Sequence, residues 1–478
     1  MNVEADISSQ GIWQDRRHSL LWLYNLHYFD DLAAERSADR LDWQSRLVDR
    51  WITENPPGVG IGWQPYPSSL RIVNWIKWHL SNGVLGKAAR DSLASQARQL
   101  EKRLEFHILG NHLLANAKAL YFAGAFFGGP ESDRWLQKGR QILECEMLEQ
   151  VLPDGAHFEL SPMYHLIVLE DLLDVLNIGK AYDLAPPDGL EDTVRRMLGW
   201  SAVMRHGDGD IPFFNDASFG IAQCPAALDS YAAGLGIVSV AEPTSDIMLA
   251  ASGYTRLNAG DANVYVDAAA VGPDYLPAHA HADTLSFEIS IGEERIVVNG
   301  GTSVYGDGPD RQVQRGTLAH STITIDDSNS SDVWAGFRVG RRANVISREI
   351  SSENGRTVLS AAHDGYKCLN GSPVHRRRFA LEPGKLVITD FIEGSGTHRV
   401  ESRVHLHPSI SIGKIAPDGI ELITPSGRRI RVSGEPGVTQ QPGTWHPAFG
   451  SDVENLNLHV GRDVALPYML QLTFTWET

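Results

Sequence analysis

The hydrophobic pattern of this chain changes its period once, and that change limits the folds open to it. In the first half, apolar residues recur at steps of three or four, which is the spacing of an amphipathic helix. This spacing predicts helices at 20–32, 70–80, 93–104, 113–127, 166–176 and 194–203. After a transition at 234–253, apolar and polar residues alternate, which is the period of a β-strand. The alternation predicts strands at 264–266, 285–291, 296–298, 322–325, 345–350, 385–392, 398–407, 420–423 and 456–460.

The turn-forming residues between these stretches indicate how the elements assemble. Breaks rich in Pro, Gly, Asn and Asp, at 55–58, 128–130 and 185–189, divide the helices into helix–loop–helix units. Such units stack as an α/α toroid or as a solenoid, and the lack of a sequence repeat disfavours a regular solenoid. Short strands divided by turns predict an antiparallel β-sandwich. The predicted class is therefore α+β multidomain, with a helical domain at 1–243 and a β-sandwich domain at 244–478.

Size, charge and cysteine content exclude several classes of protein. The chain has 478 residues, more than one compact core usually holds, and its net charge of −17 argues against nucleic-acid binding. Its three cysteines are far apart, which argues against a disulfide framework. No apolar run is long enough for membrane insertion. No secretory signal is visible, so we expect a cytoplasmic protein, or a periplasmic or secreted one if a leader has been removed. The oligomeric state is not readable from the sequence.

A histidine-containing stretch carries the most chemistry in the β half. His279 and His281 are two residues apart, so on a strand both imidazoles point to the same face. His320 follows, next to a predicted neighbouring strand. Imidazoles gathered on one sheet face suit a metal ion or a proton relay. A hydrogen-bonded histidine pair at a sheet edge is the alternative.

Aromatic and polar side chains cluster at two places in the helical half. Trp63, Tyr66 and Arg71 combine rings with a guanidinium, which suits stacking on and hydrogen bonding to a sugar. A polar aromatic corner of the helical core explains them equally well. Asn111 and His112 stand just before a strongly helical run, where the default explanation is a helix cap.

Two further segments of the helical half carry polar groups beyond the needs of a core. Tyr164 and His165 lie in the first turn of a predicted helix, where the positive helix end favours an anion such as a phenolate. Asn215 and Asp216 lie in an acidic loop, for which turn formation is the commoner explanation.

Four groups of motifs, in this order, resemble the heparinase II/III-like polysaccharide lyases. They are GNHLLANAKAL, ELSPMYH, HAHADTLSFE with VNGGTSVYG, and RGTLAHSTITID with VWAGFRVGRRA. The resemblance covers most of the chain, from about residue 63 to residue 342. It implies an incomplete α/α toroid followed by an antiparallel β-sandwich domain, which agrees with the prediction from the hydrophobic pattern.

The resemblance implies a β-elimination at a uronic acid residue, with three catalytic side chains. Asn111 matches the residue that neutralises the uronate carboxylate, so that the charge developing on removal of the C5 proton is stabilised. Tyr164 matches the catalytic tyrosine, which protonates the leaving glycosidic oxygen and, for one C5 epimer, also removes the proton. His279 matches the catalytic histidine, the base for the opposite epimer. We expect these three groups to converge around one acidic sugar.

The resemblance also implies a metal site in the β half. His281 and His320 match metal-binding or structural histidines. In relatives that bind zinc there, the third ligand is an aspartate, and this chain has Asn299 at the corresponding place. An amide is a poorer zinc ligand than a carboxylate. The implied cofactor is zinc or another divalent metal, with one altered ligand.

The implied partner is an acidic polysaccharide: a glycosaminoglycan such as heparan sulfate, hyaluronan or chondroitin, or a bacterial exopolysaccharide. The residues expected to contact it are Trp63, Tyr66, Arg71, His112, His165, Asn215, Asp216, Arg338 and Arg342. Arg338 and Arg342, from the motif VWAGFRVGRRA, suit carboxylates or sulfates. The arginine run at 376–378 is better explained as a solvated strand face.

Other functions stay open on sequence grounds. Glycoside hydrolases also use α/α toroids with paired carboxylates, for which Glu159, Asp216 and Asp283 are candidates. A non-catalytic polysaccharide-binding or assembly protein on the same scaffold is a further alternative, and Asn299 in place of an acid mildly favours it. Elimination leaves a double bond that absorbs ultraviolet light and hydrolysis does not, so the product distinguishes the enzymes.

Overall fold

The computed structural model describes residues 3–82, 85–238, 245–435 and 437–477. The chain divides into two compact units. The helical unit comprises Met1–Val151, Val168–Val194 and Gly234–Ile237, and the β unit comprises Leu152–Ile167, Arg195–Ala233 and Val238–Thr478. The predicted boundary between residues 243 and 244 involves positions outside the described residues and stays a prediction.

Helices occupy every stretch in which the apolar residues recur at steps of three or four. They are α1 (Leu20–Tyr28), α2 (Leu41–Glu54), α3 (Pro65–Asn82), α4 (Lys87–Glu101), α5 (Gly110–Phe126), α6 (Pro130–Gln150), α7 (Pro162–Ala181), α8 (Leu190–Val203), α9 (Pro225–Gly234) and α10 (Pro309–Arg315). The hydrophobic pattern did not predict α2 and α6, in which many charged residues interrupt the apolar stripe. Within the helical unit α5 packs against both α3 and α6. No helix in the described ranges is long and apolar enough to cross a membrane.

Local chemistry explains where several of these helices begin. The hydroxyl of Ser19 accepts a hydrogen bond from the backbone N–H of Trp22 and so caps α1. In α6, Pro130 occupies the first turn together with two acidic residues, which suit the positive end of a helix. In α7, the hydroxyl of Ser161 accepts from the backbone N–H of Tyr164 at 3.2 Å. This last cap places Tyr164 in the first turn of its helix.

Antiparallel strands make up most of the β unit. They are β1 (Ile247–Met248), β2 (Tyr254–Ala259), β3 (Ala262–Asp267), β4 (Phe287–Ile291), β5 (Glu294–Val298), β6 (Ile323–Ile325), β7 (Val333–Trp334), β8 (Arg338–Val339), β9 (Val345–Glu353), β10 (Arg356–His363), β11 (Val374–Glu382), β12 (Lys385–Glu393), β13 (Thr397–Leu406), β14 (Ser411–Ala416), β15 (Gly419–Ile423), β16 (Arg429–Glu435), β17 (Thr439–Trp445), β18 (Val453–Ala465) and β19 (Tyr468–Trp476). Every stretch with a predicted period of two contains one of these strands.

Two large sheets form the predicted sandwich. One has the strand order β1-β2-β3-β4-β5-β13-β18-β17, with β6 also paired to β13. The other has the order β14-β15-β16-β19-β12-β11-β10-β9. Apolar side chains from both sheets, such as Phe287 and Phe379, belong to one continuous buried core. Burial of alternate residues on facing sheets is what holds a β-sandwich together.

The middle arginine of the run at 376–378 is buried between the sheets, which corrects the prediction of a solvated strand face for that residue. The guanidinium of Arg377 donates to the carboxylate of Asp390 at 2.6 and 3.0 Å. It also donates to the carbonyls of Leu285 and Ser321, both at 2.9 Å. Its neighbour Arg378 is partly exposed and pairs with the exposed Glu353. Because strand side chains alternate, only the middle residue of the three faces the core.

We expect Arg377→Met to destabilise the protein by about 3 kcal/mol or more, because it leaves the buried Asp390 carboxylate without its guanidinium. Arg378→Met is the matched control, since an exposed ion pair contributes about 0–1 kcal/mol. Thermal and urea unfolding followed by circular dichroism measure both variants. Equal losses in the two variants contradict a structural role for the buried ion pair.

Candidate active site

The segment that contains His279 and His281 is a loop, since β4 begins only at Phe287. The prediction that a strand places both imidazoles on one face is therefore wrong. The backbone N–H of Asp216 donates to the carbonyl of His279 at 3.0 Å, and the backbone N–H of His281 donates to the side-chain oxygen of Asn215 at 2.9 Å. These bonds hold the loop against residues 215 and 216, so that both imidazoles reach one carboxylate.

That carboxylate, on the fully buried Asp216, is the centre of the site. His279 contacts its Oδ2 through Nδ1 at 2.8 Å, and His281 contacts its Oδ1 through Nε2 at 2.8 Å. Arg311 pairs with both oxygens, donating from Nη2 to Oδ2 at 2.8 Å and from Nη1 to Oδ1. The hydroxyl of Thr302 adds a further donor at 3.2 Å. Burial alone raises the pKa of Asp216, but Arg311 and the imidazoles outweigh burial and hold the pKa well below its usual value.

The carboxylate determines which nitrogen of His279 can act as a base. An ionised carboxylate only accepts hydrogen bonds, so Nδ1 of His279 carries the proton in the contact with Asp216. The other ring nitrogen, Nε2, then has the lone pair that can take up a proton. It lies 3.4 Å from Oε2 of Glu159. The contact with Asp216 therefore favours the tautomer that a base needs, and the predicted catalytic role of His279 stays a prediction.

Tyr164 lies directly on the face of this imidazole. The two ring centroids are 3.8 Å apart, with an angle of 26° between the ring planes. Its hydroxyl lies 3.0 Å from the hydroxyl of Tyr305. A phenol and an imidazole are therefore close enough to act on the same sugar residue.

Tyr305 connects Tyr164 to the cation of the site. The guanidinium carbon of Arg311 lies 4.9 Å from the centroid of the Tyr305 ring. Burial, assisted by the charge of Asp216, raises the pKa of Tyr305 well above its usual value. Tyr305 therefore keeps its proton near neutral pH and can donate it in a hydrogen bond to the oxygen of Tyr164.

The histidines predicted to bind metal meet each other, but the third predicted ligand does not join them. Nδ1 of His281 lies 3.1 Å from Nε2 of His320, whose Nδ1 donates to the carbonyl of Gly316 at 2.9 Å. The amide of Asn299 donates to the hydroxyl of Ser286 at 3.3 Å, and its oxygen accepts from the backbone N–H of Ser321 at 2.9 Å. Both polar groups of Asn299 are thus used for local structure.

A zinc site needs three or four donors. In the described part of the chain, no group of three or more His, Cys, Asp or Glu side chains could hold a metal ion. The two imidazoles supply one edge of such a site, and the residues present do not complete the predicted set. No catalytic step is therefore derived through a metal, and bound zinc stays a prediction.

Two predicted substrate contacts in the β unit are buried and have structural partners. The ring of His165 lies 3.0 Å from the carbonyl of Met197 through Nε2, and its Nδ1 accepts from the backbone N–H of His157 at 3.3 Å. Asn215 has a positive φ of 56° and donates from its side chain to the carbonyl of Leu160 at 2.9 Å. These contacts favour a structural role for both residues over contact with a substrate.

Two predicted contacts in the helical unit lie in its core. Arg71 is 0% exposed and donates to Gln96 and to the carbonyls of His27 and Gly62. Trp63 is also buried, and its indole N–H donates to a backbone carbonyl. Of the two explanations considered from the sequence, this placement favours the polar aromatic corner of the helical core.

Asn111, Tyr66 and His112 lie together in the helical unit. Helix α5 begins at Gly110, so Asn111 and His112 are inside its first turn and neither is the residue before it that a cap requires. Asn111 donates to the hydroxyl of Tyr66 at 3.5 Å, and the rings of Tyr66 and His112 stack with centroids 4.2 Å apart. Tyr66 and His112 are partly exposed. The helix-cap explanation of Asn111 and His112 is therefore wrong. The predicted roles of Asn111, Tyr66 and His112 toward a substrate stay predictions.

The arginines of the VWAGFRVGRRA motif differ in their surroundings. Arg341 pairs with Asp332 at 2.7 Å, and Arg342 pairs with Asp274 at 3.2 Å. Arg338 is exposed, and no carboxylate among the described residues pairs with it. The guanidinium of Arg338 can therefore bind an acidic group of a ligand without first breaking an ion pair, whereas that of Arg342 must leave Asp274.

Two models of one protein family match consecutive segments of the chain. The model described as Heparinase II/III N-terminus matches residues 85–232, and the model described as Heparinase II/III-like, C-terminal matches residues 241–469. The chain belongs to the heparinase II/III-like family. The family inferred from the four groups of motifs is thereby confirmed.

The heparinase II/III-like chain is similar to curated proteins of more than one kind. A heparin-sulfate lyase of Pedobacter heparinus is 30% identical over 60% of this chain and 48% of its own length. FtsZ-localized protein C of Caulobacter vibrioides is 26% identical over 84% of this chain and 71% of its own length. The chain spans about half the length of the curated lyases it matches.

A solved structure confirms the fold class. The crystal structure of a heparan sulfate lyase mutant from Pedobacter heparinus superimposes on the heparinase II/III-like chain with a TM-score of 0.70 at 20% identity. The match covers 98% of this chain and 78% of the other. At this identity the likeness shows the fold alone, which is an α/α toroid region followed by antiparallel sheets.

Several site residues of this heparinase II/III-like chain were not predicted from the sequence as members of the site. Tyr305 belongs to the motif VNGGTSVYG, which supported the resemblance, so its phenol was an available signal. Arg311 lies on the seven-residue helix α10 and follows no pattern that points to a site. Asp216 was predicted to contact substrate, and its full burial beneath Arg311 and two imidazoles favours a positioning role.

Burial of His165 makes the protein sensitive to acid. Burial lowers the pKa of His165 to about 3, so the folded state stays unprotonated there while the unfolded state binds a proton below about pH 6.5. Its contribution to stability is complete above pH 6.5 and is lost as the pH falls toward 3, by about 1.4 kcal/mol per pH unit.

We therefore expect His165→Gln to reduce the loss of stability between pH 7 and pH 5 relative to the unmodified protein. Thermal unfolding midpoints measured at pH 7, 6 and 5 check this expectation. His107→Gln is the matched control, because His107 is exposed. An unchanged pH dependence in His165→Gln rules out the proposed effect of burial.

Proposed function

We propose that this chain is a polysaccharide lyase that cleaves a uronic-acid-containing polysaccharide by β-elimination. The observation that carries the proposal is the stack of Tyr164 on His279, with the imidazole bonded to Asp216 and the phenol bonded to Tyr305. This arrangement supplies an acid and a base beside one another, which elimination requires. The family to which the chain belongs, and a relative named heparin-sulfate lyase, support the same reaction.

The base of the proposed reaction is Nε2 of His279. Asp216 keeps the proton on Nδ1, so the free lone pair is held in one orientation and is available for the C5 proton of the uronate. The same carboxylate stabilises the imidazolium that forms after proton transfer. Arg311 keeps Asp216 ionised throughout, because their contact is buried and bidentate.

The acid of the proposed reaction is Tyr164. Its hydroxyl protonates the glycosidic oxygen as the bond from C4 breaks, and the hydrogen bond from Tyr305 stabilises the phenolate that remains. For a uronate with the opposite configuration at C5, Tyr164 removes the proton and returns it to the leaving oxygen. In the first route the C5 proton goes to Nε2 of His279 and the phenol's proton to the leaving oxygen, and transfer of one proton from the imidazolium to the phenolate restores the enzyme. In the second route Tyr164 begins as the phenolate, and a single proton passes from C5 through it to the leaving oxygen.

Asn111 is proposed to neutralise the uronate carboxylate through its side-chain amide. Amide donors directed at a carboxylate stabilise the extra charge that develops when the C5 proton leaves. Asn111 is available for this role because its only hydrogen bond to the side chain of a described residue, to Tyr66, is long at 3.5 Å. The proposed substrate class is an acidic polysaccharide, such as heparan sulfate, hyaluronan, chondroitin or a bacterial exopolysaccharide.

Two other functions are distinguished by the same assay. A hydrolase with paired carboxylates is disfavoured, since Asp216 is fully used by Arg311 and the two imidazoles. One comparison keeps a non-catalytic polysaccharide-binding or assembly protein as the second candidate: FtsZ-localized protein C, whose name states a location and no activity, aligns over a larger share of both chains than the lyase of Pedobacter heparinus. Such a protein binds polymer and releases no unsaturated product.

We expect the protein to release a product that absorbs ultraviolet light from at least one member of a panel of uronate polymers. Tyr164→Phe should lower this rate by about 10²-fold or more, since it removes the general acid and keeps the ring that stacks on His279. Tyr366→Phe, in the β unit, is a matched control, because it removes a buried phenol that donates to the carbonyl of Ile323. Near-normal turnover by Tyr164→Phe removes Tyr164 from the mechanism, and absence of product from every polymer contradicts the lyase.

A second substitution tests the hydrogen bond between the two phenols. Tyr305→Phe keeps the ring beneath Arg311 and removes the donor to Tyr164, so the phenolate of Tyr164 becomes harder to form. We expect kcat to fall by about tenfold or more, and the decline of activity at high pH to move to higher pH. The pH dependence of kcat measures both changes. A purely structural role of Tyr305 lowers activity without moving the profile.

A further inference from the structure

A short two-stranded ribbon beside the catalytic residues exposes an indole and a guanidinium. It consists of β7 and β8, in which Trp334 lies directly opposite Arg338 and Val333 lies opposite Val339. Residues that are directly opposite in an antiparallel pair project from the same face, with their Cβ atoms about 5 Å apart. Trp334 is 57% exposed and Arg338 is also exposed. The ribbon therefore presents an aromatic ring and a positive charge on one surface.

The turn of this ribbon is fixed to the catalytic centre. Arg311, which pairs with Asp216, also donates from Nε to the carbonyl of Gly336 at 3.0 Å. The backbone N–H of Gly336 donates to Asp307 at 2.6 Å. A side chain on Gly336 would approach the carbonyl of Gly306 to 2.8 Å, so only glycine fits there. The position of the ribbon is thus set by the same guanidinium that positions His279.

Phe337 makes the surface of the ribbon continuous with the catalytic residues. Its ring centroid lies 6.0 Å from that of His279 and 5.2 Å from that of Tyr305. It is 38% exposed, so one part of the ring contacts the catalytic side chains and another part faces solvent. Phe337 therefore joins the ribbon that carries Trp334 and Arg338 to the catalytic side chains.

The charge on the ribbon is available to an acidic ligand. Arg341 and Arg342, which follow on the same segment, each pair with an aspartate. Arg338 has no such partner among the described residues, and its guanidinium can form a bidentate contact with a carboxylate. In a protein with a net charge of −17, an unpaired cation at this place is suited to an anion from outside the chain.

We propose that Trp334 and Arg338 form a subsite for an acidic sugar residue next to the one that reacts. The indole stacks on the apolar face of the pyranose ring, and the guanidinium binds its carboxylate. The subsite rests on the proposed lyase function and adds a second point at which the enzyme recognises the polymer. Because of this subsite, the protein binds a polymer more tightly when the sugar next to the reacting one is also acidic.

Calorimetry with defined oligosaccharides tests this subsite without requiring turnover. The probes are hyaluronan and heparan sulfate octasaccharides, with a neutral chitin oligosaccharide as the uncharged comparison. We expect Trp334→Ala to weaken binding of the acidic probes by about three- to tenfold, as loss of one aromatic contact implies. Arg338→Gln should weaken it by a similar factor and reduce its dependence on salt. The double variant should lose less than the product of the two factors, because both groups bind one sugar.

Matched controls separate the subsite from general effects on the surface. Trp43→Ala removes an indole that is 42% exposed on α2, and Arg376→Gln removes a surface arginine that pairs with Glu393. Both controls should bind the probes like the unmodified protein. In the lyase assay, Trp334→Ala and Arg338→Gln should raise KM more than they lower kcat.

The outcomes distinguish the subsite from the lyase. Unsaturated product with unchanged affinity and KM in both variants overturns the subsite and leaves the lyase intact. Weakened binding in both variants, with no unsaturated product from any polymer, supports the subsite and overturns the lyase. If no acidic oligosaccharide binds the unmodified protein, both proposals are overturned.

Discussion

The buried carboxylate of Asp216 is the interaction on which the candidate site depends. Removing a carboxylate from water is costly, and it is stable here because Arg311 and two imidazoles bind both of its oxygens. The ionised state of this group keeps the proton of His279 on Nδ1, and it holds Arg311 against the ring of Tyr305. Base, acid and ribbon are therefore positioned through one charge pair.

A second buried network in the β unit, around Asp390, resembles the one around Asp216, and comparing the two shows which feature of the Asp216 network suits proton transfer. The backbone N–H of Gly365 donates to Nδ1 of His363, whose Nε2 donates to Nδ1 of His375, and Nε2 of His375 donates to Asp390. Asp390 also pairs with Arg377, as Asp216 pairs with Arg311. Every ring nitrogen in this network has a fixed partner inside the core. At Asp216, by contrast, Nε2 of His279 makes a longer contact, 3.4 Å to Oε2 of Glu159, on a ring that stacks against a phenol, and this looser contact suits the proposed base.

The proposed recognition of an acidic polymer by this acidic protein depends on a few positively charged side chains. Arg311 is occupied by Asp216, Arg71 lies in the helical core, and Arg342 pairs with a surface aspartate. Arg338 pairs with no carboxylate in the described part of the chain, and it lies opposite an exposed indole. Stacking on a sugar ring does not depend on net charge, so an aromatic contact combined with one guanidinium can select an acidic sugar despite the overall repulsion.

The amino-acid sequence alone determined the change from helices to strands and the β-sandwich, because periodicity is a property of neighbouring residues. Its motifs identified the family, and through the family they named Tyr164 and His279 as candidate catalytic residues. Tertiary structure decided the rest. The hydroxyls of Tyr164 and Tyr305 meet across 141 positions of sequence, and Arg311 reaches Asp216 across 95. Asp216, His279 and Tyr305 lie on loops, and a loop has no period from which their approach to Tyr164 and Arg311 can be predicted. For the same reason the sequence placed the two imidazoles on a strand, whereas a loop directs both of them to one carboxylate.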